Sequence, residues 1–217
     1  MALNPGVQKY QARIRSEKRE QILRASETLM LNNGYDKTSV AEIAKLAGIS
    51  LATFYKHFPT KPDILAALCD FIITDSVSKL DDPIHDDQPI DVALREIASG
   101  YVDIITDERL RKLFRLIIAE VPYFPELGEI FYERIKKPVY ERLYVYIRNK
   151  ADQGILNVDN EQQAAAIIMS LLNHSLMLGP LYTNIDPRQD ETLNIQEIIA
   201  RSVENFLKIH LNSSPAV

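Results

Sequence analysis

The sequence has a single cysteine and no tryptophan. One thiol, Cys69, cannot close an intramolecular disulfide or build a multi-cysteine zinc site, and it suits a reducing compartment. No stretch approaches the roughly 18 uninterrupted apolar residues of a membrane span, and no charged start leads into the apolar run of a secretory signal. Glycine-rich phosphate loops, paired His-x-x-x-His ligands, a nucleophile elbow and a carboxylate pair with a positioned base are all missing. Period-two alternation is missing too, which removes β-strands. These absences leave a cytoplasmic, all-α protein that is not an enzyme and needs no cofactor or metal.

What is present is ordinary in bulk and uneven in distribution. Apolar residues make up 46% of the chain and charged residues 25%, as in a typical globular protein. The net charge of −5 divides sharply at residue 61. Residues 1–61 carry ten Lys/Arg against five Asp/Glu, and the remainder carries fifteen against twenty-five. A basic head on an acidic body presents the head to a polyanion. The expected division is therefore 1–61, a basic head with an N-terminal arm, and 62–217, an acidic body.

The stretch 38–61, TSVAEIAKLAGISLATFYKHFPTK, reads as two short helices joined by a turn. Ser39 with Glu42 three residues on is a capping box for a helix over 40–47. Val40, Ile43, Ala44 and Ala47 lie on one face, and Gly48 can take the positive φ that ends the helix. Ser50 then caps a second helix from Leu51 to His57 or Phe58, with Phe54 and Phe58 inward. Leu51, Ala52, Thr53, Tyr55, Lys56 and His57 face outward. Such a pair fits a helix-turn-helix DNA reader.

Around it the spacing predicts about nine helices. Residues 1–14 form a mobile arm whose Lys9, Arg13 and Arg15 stand as phosphate donors or a solvated tail, and a first helix covers 16–33. Thr60, answered by Asp63, caps a helix running to about residue 80, and the acidic, proline-bearing segment 81–89 is a linker. Helices follow over 90–105, 107–120, 126–152 with a kink near Lys137 before Pro138, 164–178 after an Asp159/Gln162 cap, and 193–211. Gly179-Pro180 stops the penultimate helix. That helix is apolar nearly all round, so a second copy of the chain is expected to cover one side.

The residues Thr38-Ser-Val-Ala-Glu-Ile-Ala, Ala47-Gly-Ile-Ser50, Thr53-Phe-Tyr-Lys-His-Phe58 and Lys61 resemble the N-terminal signature of the TetR family of bacterial repressors. The likeness spans Arg19 to Leu68. It departs at Ala52, where glycine is usual, which alters groove contacts rather than fold. Leu113 to Leu127 and Phe131-Tyr-Glu133 are similar to the AefR-like subset of C-terminal domains. The resemblance implies a homodimer joined through its last two long helices, with one recognition helix per subunit in successive major grooves of a palindromic operator. It also implies a pocket in the body whose small-molecule ligand releases the DNA. Carried over by position, Leu51, Ala52, Tyr55 and Lys56 face base edges, while Thr38, Ser39, Thr53, Tyr55, His57 and Lys61 hold phosphates. Ser50 joins this set through the helix N-terminus it caps.

Independent physics agrees. Leu51 and Ala52 can meet a thymine methyl, and Lys56 can donate to guanine. For the pocket, aromatic density in the body and a few polar residues single out Tyr101, Phe114, Tyr140, Tyr144, Met169, Asn173, His174 and Met177 as a wall for a hydrophobic molecule. The motif does not separate a repressor from an activator of the same fold. A helical interaction module without specific DNA binding is the rival reading.

Overall fold

Short polar side chains begin most of the helices. In the computed structural model, which describes residues 5–77, 88–183 and 185–212, Ser39, Ser50, Asn160 and Asn194 each accept a backbone N–H from three residues on. Each bond satisfies one of the donors that a helix start leaves open. Counting every unbroken run once, the described residues form nine helices. They are α1 (Pro5–Asn33), α2 (Val40–Leu46), α3 (Leu51–His57), α4 (Lys61–Val77), α5 (Ile90–Ile105), α6 (Glu108–Glu120), α7 (residues 125–152), α8 (Glu161–Thr183) and α9 (Ile195–His210). Extended backbone pairs only as one isolated bridge, Leu156 with Leu211, among the described residues. The fold is all-α.

Three boundaries differ from expectation, each for a local reason. α1 begins at Pro5, so most of the anticipated arm is helical. Proline is pre-shaped for a first turn, and the Arg13–Glu17 pair at 3.6 Å supports the stretch. Its residues 9–13 are exposed on all sides, which is why no apolar periodicity announced it. The cap of α8 is Asn160 with Gln163 at 2.8 Å, one residue later than the Asp159/Gln162 pair. Gly179-Pro180 does not stop α8, which continues to Thr183. Residues 81–87 of the expected 81–89 linker, the end of α4 near residue 80 and the tail beyond 212 lie outside the described residues.

Both prolines within long helices are met by the same device. α7 consists of Pro125–Phe131, a wide π turn over Tyr132–Lys136 and Lys137–Asp152, and α8 has a π turn over His174–Leu178. Each π turn ends two residues before a proline, Pro138 or Pro180. A proline has no N–H and its ring clashes with the carbonyl four residues back. Widening the preceding turn relieves that clash without ending the helix. A kink is expected near Lys137; the irregularity found there is the π turn over Tyr132–Lys136.

The chain packs into two compact units, Met1–Phe71 with Lys112–Phe131, and Ile72–Arg111 with Tyr132–Val217. Residues 112–131 thus group with the N-terminal helices, where Glu120 and Phe124 meet the α1–α2 turn at Asp36 and Tyr35. The first unit buries Ile22, Met30, Ile43, Phe54, Ile64 and Leu68. The second is centred on Leu94, Ile147, Ile168, Leu172, Val203 and Phe206. α8 is long and apolar enough to cross a membrane by composition alone. Its Ala164, Ile168, Met169, Leu172 and Leu176 instead form one wall of this core. The other side leaves Ile167, Leu171 and Leu178 exposed.

Candidate nucleic-acid interface

The helix-turn-helix is assembled from three short hydrogen-bonded punctuation marks. At α2, Ser39 Oγ accepts the Glu42 N–H at 3.2 Å, and Glu42 Oε2 accepts the Ser39 N–H at 2.8 Å. The Ser39 hydroxyl, donating to Glu42 Oε2 at 2.7 Å, and then the Ser39 N–H hold the Glu42 carboxyl below the usual carboxylate range. Gly48 at φ 67° turns the chain, so that the Ile49 N–H reaches back to the Ala44 carbonyl at 3.0 Å. At α3, Ser50 Oγ accepts the Thr53 N–H at 3.1 Å, and the Ser50 and Thr53 hydroxyls lie 2.9 Å apart. Thr60 and Asp63 repeat the reciprocal box at α4.

Phe54 and Phe58 are buried one turn apart and pin α3 to the head. Everything opposite them is open. Leu51 is 46% and Tyr55 50% exposed, and Ala52 and Lys56 are exposed as well. Tyr55 touches Phe54 edge-on, ring centroids 5.6 Å apart, which steadies a ring that otherwise faces solvent. Thr53 and His57 are half-buried at the margin. The structure thus brings Ser50, Leu51, Ala52, Thr53, Tyr55, Lys56 and His57 to the open side of α3 and its margins.

Two residues expected to hold phosphates are placed otherwise. Thr38 is buried, its hydroxyl donating to the Gly34 carbonyl at 2.8 Å and its N–H to Tyr35 O at 3.2 Å. No donor is left over, so Thr38 is a structural residue. Lys61 is half-buried, with Nζ donating to Asp36 O at 3.2 Å and lying 4.3 Å from the Tyr35 ring centroid. Burial lowers its pKa, against the opposing pull of Asp36 and Glu120. Lys61 serves the α1–α2 turn first.

That turn carries a latch that sequence reasoning missed. Glu120 Oε1, at the end of α6, accepts the Asp36 N–H at 3.2 Å. A side chain at Gly34 would meet the same oxygen at 3.2 Å, and φ there is +92°. The Tyr35 ring packs edge-on against Phe124, 5.3 Å apart. Burial, with Glu126 and Glu120 nearby, pushes the Tyr35 phenol up to about 12.

A groove of about 560 Å³ runs between α1 and α3. Tyr10, Arg15 and Lys18 line one wall, and Thr53, Lys56 and His57 the other. Partial burial lowers the His57 pKa, and Arg15, Arg19 and Lys18 add to the effect. The Arg19 guanidinium sits 4.8 Å from the Phe58 ring centroid. Arg15 was visible in the sequence as a basic residue of the arm; Lys18, three residues on along the same helix face, was overlooked.

With this geometry in place, comparison with known proteins decides the lineage. The sequence pattern of bacterial regulatory proteins of the tetR family matches residues 22–68. That of the AefR-like transcriptional repressor C-terminal domain matches residues 92–210, more than half of the chain. The chain belongs to the TetR family. The HTH-type transcriptional regulator YerO of Bacillus subtilis (strain 168) is 30% identical over 195 residues, covering 84% of this chain and 64% of its own. YvdT of the same organism is 25% identical over 200 residues, covering 92% and 97%. Among solved structures, the flavonoid-responsive regulator FrrA superposes with a TM-score of 0.78 at 28% identity, over 92% of this chain and 100% of its own.

The TetR body holds the other candidate residues, and they do not form one wall. Tyr101 is buried and donates to Asn173 Oδ1 at 2.6 Å. Burial, then Tyr140, raises its pKa, while the Asn173 bond opposes the rise. Tyr140, Tyr144 and Met177 border the same core, and Met169 lies inside it. Phe114 belongs to the first unit, where it packs on Phe131 at 5.2 Å. His174 is exposed on the outer side of α8, in a surface depression with Ile167, Ser170 and Leu171. Adjacent positions on a helix lie about 100° apart, so Asn173 and His174 serve different faces. His174 therefore turns away from the Tyr101–Asn173 pair.

Proposed function

We propose that this chain is a ligand-responsive transcriptional repressor that binds a palindromic operator as a homodimer and is released by a small hydrophobic molecule. The observation that carries the reading is the outward face of α3, Leu51, Ala52, Tyr55 and Lys56, on a helix capped by Ser50 and pinned by Phe54. Lys56 donates to a guanine edge, and Leu51 and Ala52 pack on thymine methyl groups. Ser39, Thr53, Tyr55 and His57 fix the register through phosphates, without reading sequence. With so few polar groups on the reading face, DNA shape shares in the selection. The AefR-like repressor match supports repression rather than activation. Residues 1–61 read DNA and 62–217 receive the ligand and pair the subunits.

The effector reading rests on the Tyr101–Asn173 pair bordered by Tyr140, Tyr144 and Met177. A hydroxyl and an amide among aromatic and thioether surfaces suit a flat, apolar molecule with one or two polar groups. FrrA is by name responsive to flavonoids, a class of that character. Release follows if the ligand binds one body conformation better and shifts the spacing of two recognition helices, which the duplex requires to be about 34–36 Å or a multiple.

The test is enrichment of genomic DNA fragments by the purified protein, repeated with a library of aromatic metabolites. A recovered inverted repeat and a compound that releases it are the expected results. Random fragments with no shared site would overturn the reading.

A further inference from the structure

We propose that the groove between the N-terminal half of α1 and the edge of α3 seats the sugar-phosphate backbone of the operator, with Arg15 and Lys18 as phosphate donors. The inference rests on the DNA-binding reading above and extends the contact surface beyond the helix-turn-helix.

Charge is the first argument. The groove is lined by Arg15, Lys18, Lys56 and His57, and no carboxylate lines it. Elsewhere on α1, Arg13 and Arg24 are neutralised by Glu17 and Glu20 one turn away. Arg15, Lys18 and Lys56 enter no ion pair among the described residues. Three cations gathered at one opening repel one another, and an arriving anion relieves that repulsion.

Geometry is the second. Arg15 and Lys18 stand at i and i+3, so both heads lie on the side of α1 that faces α3. From Tyr10 to Lys18 the helix rises about 12 Å. Phosphates of one strand succeed one another every 3.4 Å or so of duplex axis, so that length meets a short run of backbone rather than a single compact anion. The opposite wall is the margin of the reading face itself, because Lys56 serves both surfaces and Thr53 and His57 lie beside it. His57 is held toward its neutral form by partial burial and by Arg15, Arg19 and Lys18. A neutral imidazole still donates one N–H and adds no repulsion to the cluster.

The experiment compares the full-length protein with the R15Q/K18Q variant by titrating a recovered operator and an unrelated duplex across salt concentrations. Each phosphate contact contributes about 0.9 to the slope of log affinity against log salt. Loss of two contacts lowers the slope by about 1.8 on both duplexes. Between 50 and 200 mM salt, the affinity ratio of wild type to variant then shrinks about twelvefold. Base preference across a site library stays the same, and ethylation of phosphates flanking the half-site no longer interferes. The R15K/K18R variant keeps the wild-type slope. An unchanged slope in R15Q/K18Q, or altered base preference without a change in slope, overturns the proposal and leaves the regulator reading standing. A wild-type protein that binds neither duplex overturns both.

Discussion

Thr38 and Ser39 are neighbours with separate duties, although resemblance alone gives both to phosphate. Ser39 stays exposed at the α2 N-terminus, where its backbone and hydroxyl meet Glu42. Thr38 turns inward, 1% exposed, and closes the end of α1 by donating to the Gly34 carbonyl. A buried carbonyl stripped of its donor loses about 1–3 kcal/mol. Thr38→Val, nearly the same shape, is therefore expected to lower unfolding stability by about that amount in urea. The salt slope of operator binding should stay at the wild-type value. A reduced slope with unchanged stability would return Thr38 to the phosphate contacts. Lys61 follows the same logic in part, since its ammonium already has a carbonyl and a ring for partners. In both cases residue type was legible and direction was not, because a threonine or lysine beside a turn serves protein and DNA with the same donors.

At the scale of elements, the helix starts were the most legible features, because a cap is decided within four residues. Ser39/Glu42, Ser50 and Thr60/Asp63 all take the places that their spacing implied. The prolines were half legible: Pro138 marked an irregularity, while Pro180 was read as a stop where a π turn lets the helix pass. What spacing could not show is the latch, since Asp36 and Glu120 are 84 residues apart. Glu120→Ala should speed hydrogen exchange at the Asp36 amide and weaken operator binding several-fold, with the salt slope preserved. Exchange at Asp36 equal to wild type would show that the glutamate holds nothing.

For the whole molecule, the unsettled surface is the outer side of α8. Pairing of subunits is expected through the last two long helices. On α9, Ile199 and Phe206 are 3% and 1% exposed within a single chain, in one core cluster with Tyr101, Leu172 and Val203. An apolar stripe shows that a helix is covered without saying by which chain. The contact map of one chain separates the cases. Ile167, Leu171 and Leu178 remain 39–40% exposed at i, i+4 and i+11, and Tyr182 continues the line at 85%. From Ile167 to Tyr182 that line runs about 22 Å along the helix. A stable pair buries roughly 800 Å² per partner, and this line would lie at the centre of such a seam. We therefore expect I167E/L171E to sediment as a folded monomer, with wild-type helical content and stability per chain. Its operator affinity should collapse, because two recognition helices are no longer held one helical turn of DNA apart. Phe206→Ala is the contrasting case: it empties a core site, so it should lower stability by about 3–5 kcal/mol before it changes assembly. If I167E/L171E stays dimeric at micromolar concentration, the seam lies elsewhere, and the apolar outer side of α8 needs another partner.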